Sequence, residues 1–165
     1  MSENNLVISI DAMGGDNSPR VVIEGLAIAA KKNPDVKFLL FGDEAKINAN
    51  LSQYPALQKV CEVRHALEVV HNEDKPSQVI RNRNTSMYMA IDAVRKGEAQ
   101  AIVSAGNTGA LMAISKLVLK TIQKIHRPAI VSIMPHQHGK YVMLDLGANT
   151  CLLYTSPSPR DLSTS

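Results

Sequence analysis

A mostly parallel, doubly wound α/β sheet sandwiched by helices is the fold this sequence predicts. Two observations predict it. Short apolar runs rich in β-branched residues alternate with amphipathic stretches of helical length, and glycine-bearing turns stand at the ends of the runs. Hydrophobic residues make up 45% of the chain and charged residues 20%, the balance of an ordinary globular protein with a folded core.

The elements follow in order. Residues 6–10 (LVISI) read as a buried strand ending in Asp11 and a Gly-Gly pair. Ser18 is placed to cap the next helix, with Pro19 at its first position. Val22, Ile23, Leu26, Ala29 and Ala30 then recur at helical spacing until Asn33-Pro34 stops them. Residues 36–41 (VKFLLF) are a second strand closed by Gly42-Asp43, residues 44–53 a weaker helix, and residues 60–65 a third strand. Residues 66–84 lose the period. Asp74-Lys75-Pro76 marks a turn there, residues 77–81 a single helical turn, and the region is expected to be a functional loop. Thr85 caps a helix whose Met87, Ala90, Ile91 and Val94 share a face, and Gly97 stands where a C-terminal glycine belongs. Residues 101–103 are a strand, residues 104–109 a turn, and residues 110–120 a helix burying Leu111, Ile114, Leu117 and Val118. Residues 129–134 and 141–146 are two further strands. Their short polar link suits a hairpin, because parallel strands need a crossover of about a dozen residues.

Residues 1–149 are therefore assigned to one α/β portion. Residues 150–165 (TCLLYTSPSPRDLSTS) are rich in Ser, Thr and Pro and hold no period, although residues 144–149 (LDLGAN) should introduce another helix. The expectation is a tail foreign to the fold, vector sequence joined to a truncated reading frame, with a genuine disordered end as the alternative. Truncation should leave apolar edges exposed, for instance along residues 142–146, and lower stability.

The formal net charge of +3 and the lack of any run of five like charges argue against a nucleic-acid binder. Cys61 and Cys151 lack the paired spacing of a zinc or redox motif. The first residues carry no signal-peptide pattern, and no apolar stretch approaches the ~20 residues of a membrane span. A cytoplasmic protein is expected.

Three segments have the residue types of an anion site. Asp11, Gly14, Gly15 and Asp16 (DAMGGD, residues 11–16) form a tight strand-to-helix turn whose glycines allow close backbone approach. It is neither the G-x-G-x-x-G fingerprint nor a Walker A loop, and the blander reading is a turn whose aspartates cap amides. Ser104, Gly106, Asn107, Thr108 and Gly109 (SAGNTGAL, residues 104–111) open a helix with hydroxyl, amide and backbone donors suited to a phosphate or an oxyanion. The blander reading is a helix cap. Arg81 and Arg83 precede the helix capped by Thr85 and suit an oxyanion, or are simply solvated. His136 and His138 are two apart with no carboxylate partner, so no metal is expected, and Cys61 is expected to be a buried, inert thiol. Both turns fall at carboxyl ends of strands, where open α/β sheets bind ligands, so the two are expected to line one cleft.

Taken together with residues 74–76 (DKP), 127–129 (RPA) and 144–149 (LDLGAN), these motifs resemble the phosphate acyltransferases of bacterial phospholipid synthesis. The resemblance runs from about residue 6 to 149. Thr85 stands where that family usually has serine and Arg83 where it commonly has lysine, both conservative. It implies a Rossmann-like sandwich of the phosphotransacetylase and isopropylmalate dehydrogenase kind, with this chain a little under half of a typical member. The implied reaction moves a long-chain acyl group from acyl carrier protein to inorganic phosphate, with no metal or organic cofactor. The implied partners are acyl-[acyl carrier protein] and phosphate, a second copy in a homodimer, and a membrane surface touched through a region beyond residue 149. On this reading Asn107, Ser104 and Thr108 carry catalysis, while Asp11, Gly14, Gly15, Asp16, Arg81, Arg83, Ser86, Gly106 and Gly109 bind substrate. A nicotinamide-dependent dehydrogenase of similar fold and a non-catalytic anion-binding domain are the competing readings.

Overall fold

The computed structural model describes residues 6–123, 125, 128–137 and 139–144. Residues 1–120 form one unit and residues 121–165 another.

In the first unit, β1 (Val7–Asp11), β2 (Lys37–Gly42), β3 (Cys61–His65) and β4 (Ala101–Val103) make a sheet of order β3-β2-β1-β4, parallel throughout. Strand alternation sends Phe38 and Leu40 of β2 to one face and Leu39 and Phe41 to the other, and all four are buried. Both faces must therefore be covered. On the first lie α1 (Arg20–Lys32), α2 (Glu44–Leu51) and α3 (Pro55–Gln58), which pack Ile23, Leu26, Ile47, Leu51 and Leu57 against Ile10, Phe38 and Leu40. On the second lies α5 (Ser86–Arg95), with Ala90 and Ala93 against Leu39 and Phe41. Outside α5, α6 (Thr108–Val118) and the single turn α4 (Pro76–Val79) close a further cluster around Met87, Ile91, Ile114 and Val118. Helices on the first face carry the chain from β1 to β3, and α5 on the second carries it back to β4. The winding direction reverses between β1 and β4. That reversal is the switch point of a doubly wound sheet.

Three local expectations need correction. Ser18 does not cap α1; Pro19 holds that position, and the one proton of the Ser18 hydroxyl is shared between the Met13 and Gly15 carbonyls, at 2.7 and 2.8 Å. The turn left those carbonyls nearer than the helix amides. Helix α6 starts at Thr108 rather than residue 110, because the Asn107 carboxamide oxygen accepts from the Ala110 amide at 3.0 Å and fixes an earlier first turn. Its buried stripe is Ala110, Ile114 and Val118, spaced by four, so Leu117 is 55% exposed and Leu111 only half-buried. Thr85 caps α5 as expected, accepting from Tyr88 at 3.2 Å, and Gly97 beyond it has φ +77°. The single turn α3 is too short to leave a period in the sequence.

In the second unit, β5 (Val131–His136) and β6 (Gly139–Leu144) pair antiparallel as a hairpin, with His136 opposite Gly139. Val131, Ile133, Val142 and Leu144 are exposed. Residues 145–165, including most of the LDLGAN motif and the whole expected tail, lie outside the described residues, as do Arg127 and His138. Among the described residues, no helix is long and apolar enough to cross a membrane.

Candidate functional site

Ile10 of β1 pairs with Val103 of β4, so the turns that follow them leave the sheet side by side. They touch. A Cβ added to Gly14 would lie 2.8 Å from the Gly106 nitrogen, the Ser104 Oγ and an Asp11 carboxylate oxygen alike. One added to Gly106 would lie 3.2 Å from the Gly14 Cα. A Cβ added to Gly15 would lie at the same distance from the Ala105 carbonyl oxygen, and Gly15, at φ +96°, uses a backbone conformation that favours glycine. Glycine is thus required at residue 14 by contact with the other turn, a reason no single-turn reading supplies.

Beneath this contact lies Asp11, 2% exposed and the one fully buried charged side chain among the described residues. A carboxylate so placed needs hydrogen bonds. Its Oδ1 accepts from the Ser86 hydroxyl at 2.7 Å and the Met13 amide at 3.3 Å, and its Oδ2 accepts from the Ser104 hydroxyl at 2.7 Å. The Ser104 Oγ in turn accepts from the Gly106 amide at 3.1 Å. One side chain therefore ties β1, the start of α5 and the β4–α6 turn together. Ser86, at the first position of α5, is fully buried and serves this anchor.

Asn107 is also turned inward. While its oxygen caps α6, its Nδ2 donates to the carbonyls of His71, Asn72 and Asp74 at 3.2, 3.1 and 3.1 Å. Both its N–H groups are engaged with backbone, where the sequence suggested a donor to an oxyanion. Asp16 reaches the same segment, accepting from the Asn72 Nδ2 at 2.9 Å. Residues 71–74 are a wall of the site that the motifs did not assign. The regularity lost between residues 66 and 84, together with the Asp74-Lys75-Pro76 turn, was the signal for it. A hollow of about 410 Å³ opens here, lined by Met13, Gly15, Asp16, Lys46, His71 and Asn72 among others.

Thr108 and Gly109, the first two residues of α6, are exposed, and among the described residues their amides have no hydrogen-bond partner. The first amides of a helix point along its axis with no intrahelical acceptor and carry the positive end of its dipole. Together with the Thr108 hydroxyl they are exposed donors at the amino terminus of α6.

The arginines are not gathered with them. Arg83 lines a separate hollow of about 340 Å³ along α5, with Phe41, Arg64, Tyr88, Asp92 and Arg95. Thr85 and Ser86 are buried at the start of α5, and the residues leading into them carry Arg83 to the helix's outer side. Arg81 is exposed. Charges around that hollow largely satisfy one another: Arg64 pairs with Glu62 and Glu98, and Asp92 with Arg95 and Lys96. Among the described residues, no group of three or more His, Cys, Asp or Glu side chains could hold a metal ion. Cys61 is half-buried, and desolvation pushes its thiol up to about 12, which keeps it in the unreactive protonated form.

A parallel, doubly wound α/β protein whose β1 and β4 turns meet at the switch point is the class that fold and site define. Comparison with known proteins narrows it. The family model described as "Fatty acid synthesis protein" matches residues 6–153, and the chain belongs to that family. It is 52% identical over 147 residues to a phosphate acyltransferase of Rhodospirillum rubrum, covering 88% of this chain and 42% of that protein. Phosphate acyltransferases of Rhodospirillum centenum and Granulibacter bethesdensis are 53% and 51% identical over 150 and 148 residues, 90% of this chain in each case. The chain spans about two fifths of the length of these relatives, 40 to 42%.

Proposed function

We propose that the crevice between β1 and β4 is the phosphate end of an acyltransferase site. Inorganic phosphate attacks the thioester of a long-chain acyl-[acyl carrier protein], giving an acyl phosphate and the free carrier thiol. The observation that carries this reading is the contact between the Gly14 and Gly106 turns, which sets the open amides of α6 beside the carboxyl ends of β1 and β4. Phosphate is itself the nucleophile, so the protein need only hold it near the thioester and stabilise the oxyanion, and no acyl-enzyme or cofactor is called for. Thr108, through its amide and hydroxyl, and the Gly109 amide hold the anion. Ser104 and Asn107 act by positioning those donors, with Asp11 and Ser86 behind Ser104. Gly14, Gly15 and Gly106 allow the turns to touch, and Asp16 secures residues 71–74. Arg81 and Arg83 contribute positive potential on the approach. The thioester side of the cleft, a homodimer contact and contact with the membrane surface belong to the region that the longer relatives carry in addition. The protein works in the cytoplasm.

The test is a chain in which residues 1–149 are followed by the remainder of the Rhodospirillum rubrum relative, assayed for acyl phosphate beside the 165-residue chain. The extended chain is expected to turn over and the shorter one not. In the extended chain Thr108→Val should lower kcat by ~10²-fold, the usual cost of losing one oxyanion donor. An extended chain that folds yet makes no acyl phosphate from acyl-[acyl carrier protein] and phosphate would dispose of the proposal.

A further inference from the structure

Positive charge is concentrated on the α5–α6 side of the first unit. Residues 81–120 hold six basic side chains and two carboxylates, a surplus of four, where the whole chain has a surplus of three. The remainder of the chain therefore carries one net negative charge. Arg81 and Arg83 lead into α5, Arg95 and Lys96 end it, Lys116 lies in the last turn of α6 and Lys120 just beyond, and all six are exposed. The two carboxylates are half-buried and already engaged, Asp92 with Arg95 and Lys96, and Glu98 with Arg64. Arg83 has no carboxylate partner among the described residues. The hollow of about 340 Å³ along α5 and a second of about 400 Å³ share Arg83, Tyr88 and Arg95, and the second adds Leu117 and Val118 but no acidic side chain. Arg83 and Arg95 stand at opposite ends of a helix whose ten residues span ~15 Å, so the two hollows form a trough rather than a point. One small anion would leave the cations at one end unmatched, whereas a row of carboxylates on a helix would meet both.

We propose that this trough docks an acidic helical face of the protein half of the acyl donor, an inference that rests on the acyltransferase reading of the crevice. A donor that is itself a folded protein has to seat outside the site and pass its thioester in. The trough is placed for that. Arg83 stands three residues before Ser86, at most about 11 Å of extended chain, and the Ser86 hydroxyl lies 2.7 Å from the Asp11 carboxylate beneath the meeting turns. Arginine and tyrosine are the side chains that most often carry binding energy between proteins, and Leu117, 55% exposed, offers an apolar contact beside them. Exposed charges of this kind steer a partner and fix its orientation, and salt screens them.

Titrating fluorescently labelled acyl-[acyl carrier protein] with the 165-residue chain, read by anisotropy at low and at high salt, tests this. Binding is expected at low salt and should weaken by about tenfold or more at high salt. Arg83→Glu combined with Arg95→Glu should weaken low-salt binding by at least about tenfold, and Leu117→Ser by about threefold. Lys31→Glu combined with Lys32→Glu makes the same change of charge at the exposed end of α1, on the other face of the sheet, and should alter binding by less than about twofold. All these positions are exposed, and a thermal melt of each variant checks that it folds. Equal binding by the unaltered chain and the Arg83 and Arg95 variant overturns the proposal, as does equal loss in the two double variants, which would make net charge and not place decisive. No binding at low salt also overturns it. In each of those cases the production of acyl phosphate by the extended chain judges the acyltransferase reading separately.

Discussion

Two polar networks flank α5, and they are built on opposite principles. At the amino-terminal end of the helix, one carboxylate, Asp11, is buried with no cation beside it among the described residues and is held by hydroxyls and an amide. Along its outer side, Arg64, Arg95 and Lys96 meet Glu62, Glu98 and Asp92 in ion pairs whose side chains remain 18 to 60% exposed. The partners of Asp11 lie 75 and 93 residues away in sequence, whereas Asp92 pairs with residues three and four positions on. The first network joins distant parts of the fold and gains nothing from water. The second decorates a surface, and solvent screens it. A network can therefore hold many charges and decide little, while one carboxylate decides how two turns meet.

Stability measurements on single variants sharpen this contrast. Asp11→Ala should have the largest effect, about 3 kcal/mol, because it strands the buried Ser86 hydroxyl and the half-buried Ser104 hydroxyl and leaves a void. A loss under about 1 kcal/mol in a denaturant melt would put the anchor elsewhere. Gly14→Ala comes next, near 2 kcal/mol, the typical cost of forcing a methyl group into packed atoms. Its amide spectrum should change at Gly106 as well as locally, since the new Cβ would sit 2.8 Å from that nitrogen. Asn107→Ala should cost about 1 kcal/mol for the lost cap and also speed hydrogen exchange in residues 71–74. Unchanged exchange there would mean the carboxamide does not hold that wall. Glu98→Gln, in the surface network, should cost no more than about 0.5 kcal/mol, and less in high salt. Burial by itself raises the Asp92 carboxyl, yet hydrogen bonds from Arg95 and then Lys96 hold it below the usual value of 3.8. Whatever those pairs contribute is thus present above that value and fades as acid carries the pH through the lower, folded one.

Much of the architecture was legible because local signals agreed with one another. The runs at residues 36–41 and 101–103, the Thr85 cap and Gly97 followed from period and capping, and loop length gave the hairpin, although its strands, expected at residues 129–134 and 141–146, stand at Val131–His136 and Gly139–Leu144. Errors came where side chains had a choice of partner. Ser18 could bond a helix amide or a turn carbonyl, and Asn107 could face a ligand or a neighbouring loop; sequence names the capacity without naming the recipient. Arg83 looked like a site residue because it precedes a helix, but the rotation of that helix about its axis sent it to another hollow. That rotation is fixed by what Met87, Ile91 and Ser86 pack against.

By itself the sequence determined the alternation of strands and helices, the glycine turns at strand ends and the chemical vocabulary of the crevice, because propensity, capping and periodicity act over a few residues. Only the tertiary structure decided that β4 lies against β1, that the Gly14 and Gly106 turns touch, and that Ser86 and Ser104 spend their protons on Asp11. Strand order and hydroxyl direction are settled by contacts between residues far apart in the chain, and those contacts exist once the whole sheet has closed around them.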